Sequence, residues 1–138
     1  HLLWREPKAV AYVPSPLLDD GKLYLVDDDG VASCLAAESG ETLWRKRLGG
    51  EFTASPVLAH GKIYMTSEDG TTHVLAIGER FEQVAENDLQ EATFATPAIC
   101  DSRIYLRTER ALYALENTSA TSDPTEAPGT DEAATTSD

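Results

Sequence analysis

Between residues 12 and 115 the apolar positions come in short runs, with no window of ten or more residues that keeps the 3.6-residue rhythm of an amphipathic helix. In one stretch "TASPVLA" (53–59) is followed by His60-Gly61, then "KIYMTS" (62–67), Glu68-Asp69-Gly70 and "TTHVLAI" (71–77). Each run is rich in β-branched and aromatic residues and ends at a Gly with a polar neighbour, which is the punctuation of β-hairpins. A fourth run of the same kind, "TLWRKRL" (42–48), follows Ser39-Gly40 in the preceding stretch. "KLYLV" and "KIYM" are apolar at successive positions, so the sheets they build are expected to be covered on both faces. Gly78 to Gln90 is the least strand-like segment and reads as a longer, more polar outer strand with its loop.

The chain repeats itself. At a shift of 40, Leu3 meets Leu43, Trp4 meets Trp44, Ser15-Pro16 meets Ser55-Pro56, Gly21-Lys22 meets Gly61-Lys62, Tyr24 meets Tyr64, Gly30 meets Gly70 and Leu35 meets Leu75. A third copy follows through Thr96-Pro97, Ile104-Tyr105 and Leu115. Four short antiparallel strands per period of about 40 residues make a propeller blade. The fold class is therefore all-β, a partial β-propeller of about three four-stranded blades. The expected organisation is an outer strand of a preceding blade at 2–8, blades at 12–50 and 52–90, an incomplete last blade at 93–115, and a tail at 116–138. Pro and Gly punctuation excludes a helical solenoid of similar period. Trp44 is followed by Arg45, so the Trp-Asp pair of WD40 blades is absent, and the double Gly of kelch blades occurs once, at Gly49-Gly50.

The acidic cluster Asp27-Asp28-Asp29 resolves within this frame. Asp28-Asp29-Gly30 falls where Glu68-Asp69-Gly70 falls, between the second and third strands, where a tight turn with positive φ wants Asp-Gly. An EF-type calcium loop would need acids where Leu25 and Ala36 stand, so no metal site is expected. Segment 116–138 holds six of the 24 acids and none of the 11 bases, lacks aromatics and Leu, Ile or Val, and reads as a disordered spacer. The rest of the chain keeps a net charge near −7, against phosphate-backbone binding, and no nucleic-acid partner is expected. No apolar run is long enough to span a bilayer, so no membrane insertion is expected in this segment. Cys34 and Cys100 fit no metal-ligand spacing and read as buried small hydrophobes. His73 reads as a structural strand histidine and His60 as a solvated turn residue. Arg103, Arg107 and Arg110 read as a solvated basic edge. No spacing supports a catalytic set, and no catalytic residue is named.

"CLAAESGETLW", Cys34 to Trp44, resembles the tryptophan-docking motif of pyrroloquinoline-quinone-like (PQQ-like) repeats, Ala-x-Asp-x-x-Thr-Gly-x-x-x-Trp. Gly40 and Trp44 match and Ser39 replaces Thr, while Cys34 and Ala36 stand where the motif has Ala and Asp. The resemblance implies that Trp44 wedges between neighbouring blades, with Trp4 doing the same for the blade before. With Gly40 and the repeated Tyr24, Tyr64 and Tyr105, these are the expected blade-docking residues. In the second copy the shift of 40 puts Val84 where a Trp is expected, so that junction should be packed more loosely.

The same resemblance implies the C-terminal blades of a larger propeller, whose other blades are the first partners. In function it resembles the propeller lipoprotein of the outer-membrane β-barrel assembly machinery. That implies a non-catalytic scaffold or protein-interaction module of an exported bacterial protein, periplasmic or in the cell envelope, with protein partners and no cofactor in this segment. The alternative is part of a PQQ- and calcium-dependent quinoprotein alcohol or sugar dehydrogenase. Such enzymes hold PQQ with a vicinal Cys-Cys pair and a stacking Trp; no Cys-Cys occurs here.

Overall fold

The computed structural model describes residues 1–116, and the segment 117–138, expected to be a tail, lies outside the described residues. Among the described residues there are eleven strands, β1 (Leu17–Asp19), β2 (Lys22–Val26), β3 (Val31–Ala36), β4 (Thr42–Arg47), β5 (Val57–Ala59), β6 (Lys62–Thr66), β7 (Thr71–Ala76), β8 (Gln83–Asp88), β9 (Ala98–Cys100), β10 (Arg103–Arg107) and β11 (Leu112–Glu116), and no helix. They form two four-stranded sheets, β1-β2-β3-β4 and β5-β6-β7-β8, and a three-stranded sheet, β9-β10-β11. We call these sheets 1, 2 and 3. All pairings are antiparallel between chain neighbours, as hairpin turns require.

Register shows that the sheets are copies. Tyr24 pairs with Leu17 and Cys34, Tyr64 with Val57 and Val74, and Tyr105 with Ala98 and Ala114, so the three tyrosines occupy the same place on successive sheets. A bulge recurs too, between Cys34 and Leu35 in sheet 1 and between Val74 and Leu75 in sheet 2. The core is the filling between sheets 1 and 2, with Tyr24, Val26, Ala32, Cys34 and Trp44 on one side facing Ile63, Met65, Leu75 and Phe52 on the other. Sheet 2 stands between sheets 1 and 3, which explains why its run "KIYM" is apolar at successive positions.

The connecting segments stitch neighbouring sheets along one face. The segment after β4 lies between two turns, Phe52 donating its amide to Asp28 O at 3.1 Å and Glu51 O accepting from Glu68 N at 2.8 Å. After β8 the pattern repeats, with Thr93 N to Glu68 O at 3.0 Å and Glu109 N to Ala92 O at 3.0 Å. On the innermost strands' approach, Ser15 N donates to Ser55 Oγ at 2.9 Å, and Ser55 N donates to Thr96 Oγ1 at 3.0 Å.

Four expectations need correction. Leu2–Lys8 forms no strand, because a strand needs a ladder partner and none of the described strands lies beside it. Glu116 ends β11 and pairs with Arg103, so the last sheet runs one residue beyond 115. Cys100 is exposed, at the end of an innermost strand of the outermost described sheet; only Cys34 is buried, and both are free thiols. The position equivalent to Trp44 is Ala85 rather than Val84: Trp44 pairs with Cys34, and Ala85 pairs with the corresponding Val74. The β7–β8 connection is one residue longer, since Ala36 N closes on Glu41 O but Ala76 N closes on Glu82 O.

Candidate functional site

The groups with chemistry in them gather at two places, the turns of the stitched face and the junctions between sheets. At the turns, the aspartates are held by the backbone. Asp27 Oδ1 accepts the Val31 amide across the turn at 2.8 Å, and Arg45 lies 3.7 Å from its Oδ2. Both oxygens of Asp28 accept amides of the N-terminal arm, Tyr12 N at 2.7 Å and Val13 N at 3.2 Å. Asp69 Oδ1 accepts the Ser67 hydroxyl and the Thr71 amide. The Ser67 hydroxyl, above all, holds the Asp69 carboxyl below its usual range. Gly30 closes its turn with φ 79°, and a Cβ there would sit 2.5 Å from the carbonyl oxygen of Gly50, so no other residue fits so close to the neighbouring chain.

At the junction between sheets 1 and 2 the indole of Trp44 is buried among Tyr24, with ring centroids 6.2 Å apart, and Phe81 of the next sheet, edge-on at 5.4 Å. Its N–H donates to Gly78 O at 3.1 Å, across the junction. The Gly78 amide donates back to the Tyr24 hydroxyl at 3.0 Å. Burial pushes the Tyr24 phenol up, with the Gly78 amide pulling the other way, and burial also pushes the Cys34 thiol up. Trp4 sits one period earlier in the same relation to sheet 1: its indole donates to Ala37 O at 2.9 Å. Gly40, with φ 74°, leaves room for that ring, because a Cβ there would lie 2.6 Å from it.

The other tyrosines are placed alike but surrounded differently. Tyr64 is half-buried and lines the space between sheets 2 and 3, and Tyr105 is 37% exposed on sheet 3. His73 is buried, its ring 6.1 Å from that of Phe52, with Nδ1 3.4 Å from Glu86 Oε2 and without a hydrogen-bond partner. His60 is an exposed turn residue at φ 48°. Arg103, Arg107 and Arg110 are exposed, and Arg103 lies 3.4 Å from Glu116.

The described residues do not fit a quinone site of the kind the dehydrogenase alternative implies. Both indoles are hydrogen-bonded at junctions, and Cys34 and Cys100 lie on different sheets. The Trp4/Trp44 repeat and the Tyr24/Tyr64/Tyr105 repeat were legible in the sequence. The acceptor carbonyls of Ala37 and Gly78 were not, because backbone oxygens leave no mark on sequence.

Comparison with known proteins agrees with this architecture. A family profile described as outer membrane protein assembly factor BamB matches residues 1–83. Among solved structures, BamB from Moraxella catarrhalis superposes with a TM-score of 0.66 at 21% identity, over 83% of this chain and 36% of that one. A quinohemoprotein alcohol dehydrogenase from Comamonas testosteroni superposes with a TM-score of 0.60 at 15% identity, over 72% of this chain and 17% of that one. A europium-containing methanol dehydrogenase gives a TM-score of 0.60 at 16% identity, over 77% of this chain and 22% of that one. The chain thus spans about a third of the length of BamB and less of the two dehydrogenases. No curated protein matches.

Proposed function

The chain belongs to the BamB family of PQQ-like propeller repeats, and from that membership we propose that residues 1–116 are a non-catalytic part of a propeller that serves as a scaffold for protein contacts in a bacterial cell envelope. The observation that carries this reading is how fully the chemical groups are committed to architecture. Both indoles, the Tyr24 hydroxyl and the carboxylates of Asp27, Asp28 and Asp69 hold turns or junctions together. Apolar surface remains on offer, including Tyr12 at 92% exposure and Phe94 at 52%. Exposed aromatic and aliphatic groups of this kind suit protein partners better than a small polar substrate. Trp4, Trp44, Gly40 and Tyr24 act as the docking residues that fix blade to blade.

Two measurements on the full-length protein test the reading. A photo-crosslinking residue placed at Tyr12 or Phe94 should give discrete adducts with envelope proteins. Added PQQ and calcium should leave the absorbance spectrum equal to the sum of the parts. A bound chromophore with oxidation of an alcohol, and no adduct at any position, would replace the scaffold by the quinoprotein alternative.

A further inference from the structure

Sheets 1 and 2 each carry a carboxylate at the turn between their second and third strands, but the group that the outer strand sets on that face is reversed in charge. In sheet 1 Ser33 pairs with Arg45, and the Arg45 guanidinium lies 3.7 Å from Asp27 Oδ2. At the same register in sheet 2 stand His73 and Glu86, which pair with each other, and the turn carboxylate is Asp69. An acid has taken the place of the guanidinium.

This place opens on a pocket of about 180 Å³ between sheets 1 and 2, at the stitched face. Gly49 and Gly50, after β4, form one side, and Ser67, Asp69, His73 and Glu86 of sheet 2 form the other. Both sheets have all four strands among the described residues, so both walls are in place. No Lys or Arg lines the pocket. Three acceptors in it are unspent. Asp69 uses Oδ1 for the Ser67 hydroxyl and the Thr71 amide, which leaves Oδ2. Glu86 Oε2 accepts the Gln83 side-chain amide at 2.8 Å, which leaves Oε1. His73 is only 5% exposed, and its Nδ1, 3.4 Å from Glu86 Oε2, has no hydrogen-bond partner. Buried polar atoms are nearly always paired, so an orphaned ring nitrogen against this pocket points to a donor that enters it.

We propose that the pocket receives the guanidinium of an arginine side chain from a partner protein. The partner as its source rests on the scaffold reading, whereas the guanidinium rests on the pocket alone. A guanidinium has five N–H donors in a planar fork and no acceptor, which matches a site built of acceptors on different side chains. A divalent metal fits less well, because among the described residues no three His, Cys, Asp or Glu side chains come close enough to share one. The incoming group bridges Asp69 Oδ2 and Glu86 Oε1 and donates to His73 Nδ1, the Glu86 side chain, 57% exposed, turning aside to admit it. A residue of the partner thus restores the pairing that Arg45 and Asp27 make within sheet 1.

Nitrogen NMR of the full-length protein titrated with the peptide acetyl-Gly-Arg-Gly-amide tests the pocket. The expected result is a saturable shift of His73 Nδ1 in the direction of an accepted hydrogen bond, with saturable shifts of the Gly50 and Thr71 amides and a Kd on the order of millimolar. The same peptide with citrulline, which keeps the shape and loses the charge, should move none of them, and a lysine version should bind at least about threefold more weakly. Glu86→Gln should weaken the arginine peptide about tenfold. Glu86→Arg copies sheet 1 and should abolish its binding; position 86 is exposed, so both variants should fold. Absence of saturable shifts, equal binding of the citrulline or lysine peptide, or unchanged binding in Glu86→Arg overturns the proposal, whether or not crosslinks form at Tyr12 and Phe94. Saturable binding of the arginine peptide with no crosslink at either position keeps the guanidinium pocket and overturns its assignment to a partner protein.

Discussion

Trp44 does two separable jobs, filling the junction between sheets and donating one hydrogen bond across it. Trp44→Ala should cost about 3–5 kcal/mol, the usual range for removing a large buried aromatic. Trp44→Phe keeps most of the filling and should cost about 1 kcal/mol for the hydrogen bond, plus whatever the smaller ring leaves empty. Urea unfolding of the two variants separates the jobs; equal losses would mean that packing contributes little. Asp69 yields a prediction of a different kind. Its carboxyl lies below the ordinary 3.8 in the folded chain, chiefly through the Ser67 hydroxyl. A depressed carboxylate stabilises the fold above its unfolded pKa, and that contribution disappears as pH falls through the lower folded value. Asp69→Asn should therefore lower the unfolding midpoint at neutral and alkaline pH and flatten its fall on the acid side, where parent and variant converge. An acid limb as steep as that of the parent would show that other carboxylates set it.

Among elements, the inner strands of sheets 1 and 2 are the best protected and sheet 3 the least. β3 has four consecutive buried residues and β6 and β7 have three each, whereas β8 is exposed throughout and β11 nearly so. Native-state hydrogen exchange should rank amides of β2, β3, β6 and β7 slowest, with β10 and β11 opening at lower free energy. Uniform protection across all three sheets would contradict a loosely filled second junction. The strands themselves were legible because Gly-bounded apolar runs and a repeated Tyr fix the hairpins and their phase. Which residue faces that junction was not, since a single extra residue between β7 and β8 moves the alignment from Val84 to Ala85, and only the hydrogen-bond register of the bulge reveals it. Leu2–Lys8 has the composition of a strand and lacks a neighbour to pair with, which no local pattern can show.

For the molecule as a whole, three stacked sheets are fewer than a closed propeller needs, and apolar groups are left at its flanks. Tyr105 and Leu112 of sheet 3 are exposed, as are Leu2, Leu3 and Leu18 on the other side. Purified residues 1–138 should therefore self-associate as concentration rises, despite a net charge of −13. Sedimentation velocity over a hundredfold concentration series, on the order of micromolar upward, should show the rise, and a single monomeric species throughout would mean that charge repulsion outweighs the apolar flanks. Repetition made this scale the most readable of all, because a period of forty with matching turn chemistry leaves few architectures. The partner of such a scaffold was not readable, since exposed apolar side chains record that something is covered without recording by what.

The bond from Ser15 to Ser55, continued from Ser55 to Thr96, runs in one direction only. Each hydroxyl accepts a hydrogen bond from the unit before, and each amide donates one to the unit after, so a unit cannot be turned round but can be copied. A duplicated forty-residue module spliced between two others would find both of its hooks already cut to fit. At the hub the units are interchangeable, and whatever individuality they have must be carried further out, where one has an indole and the next does not.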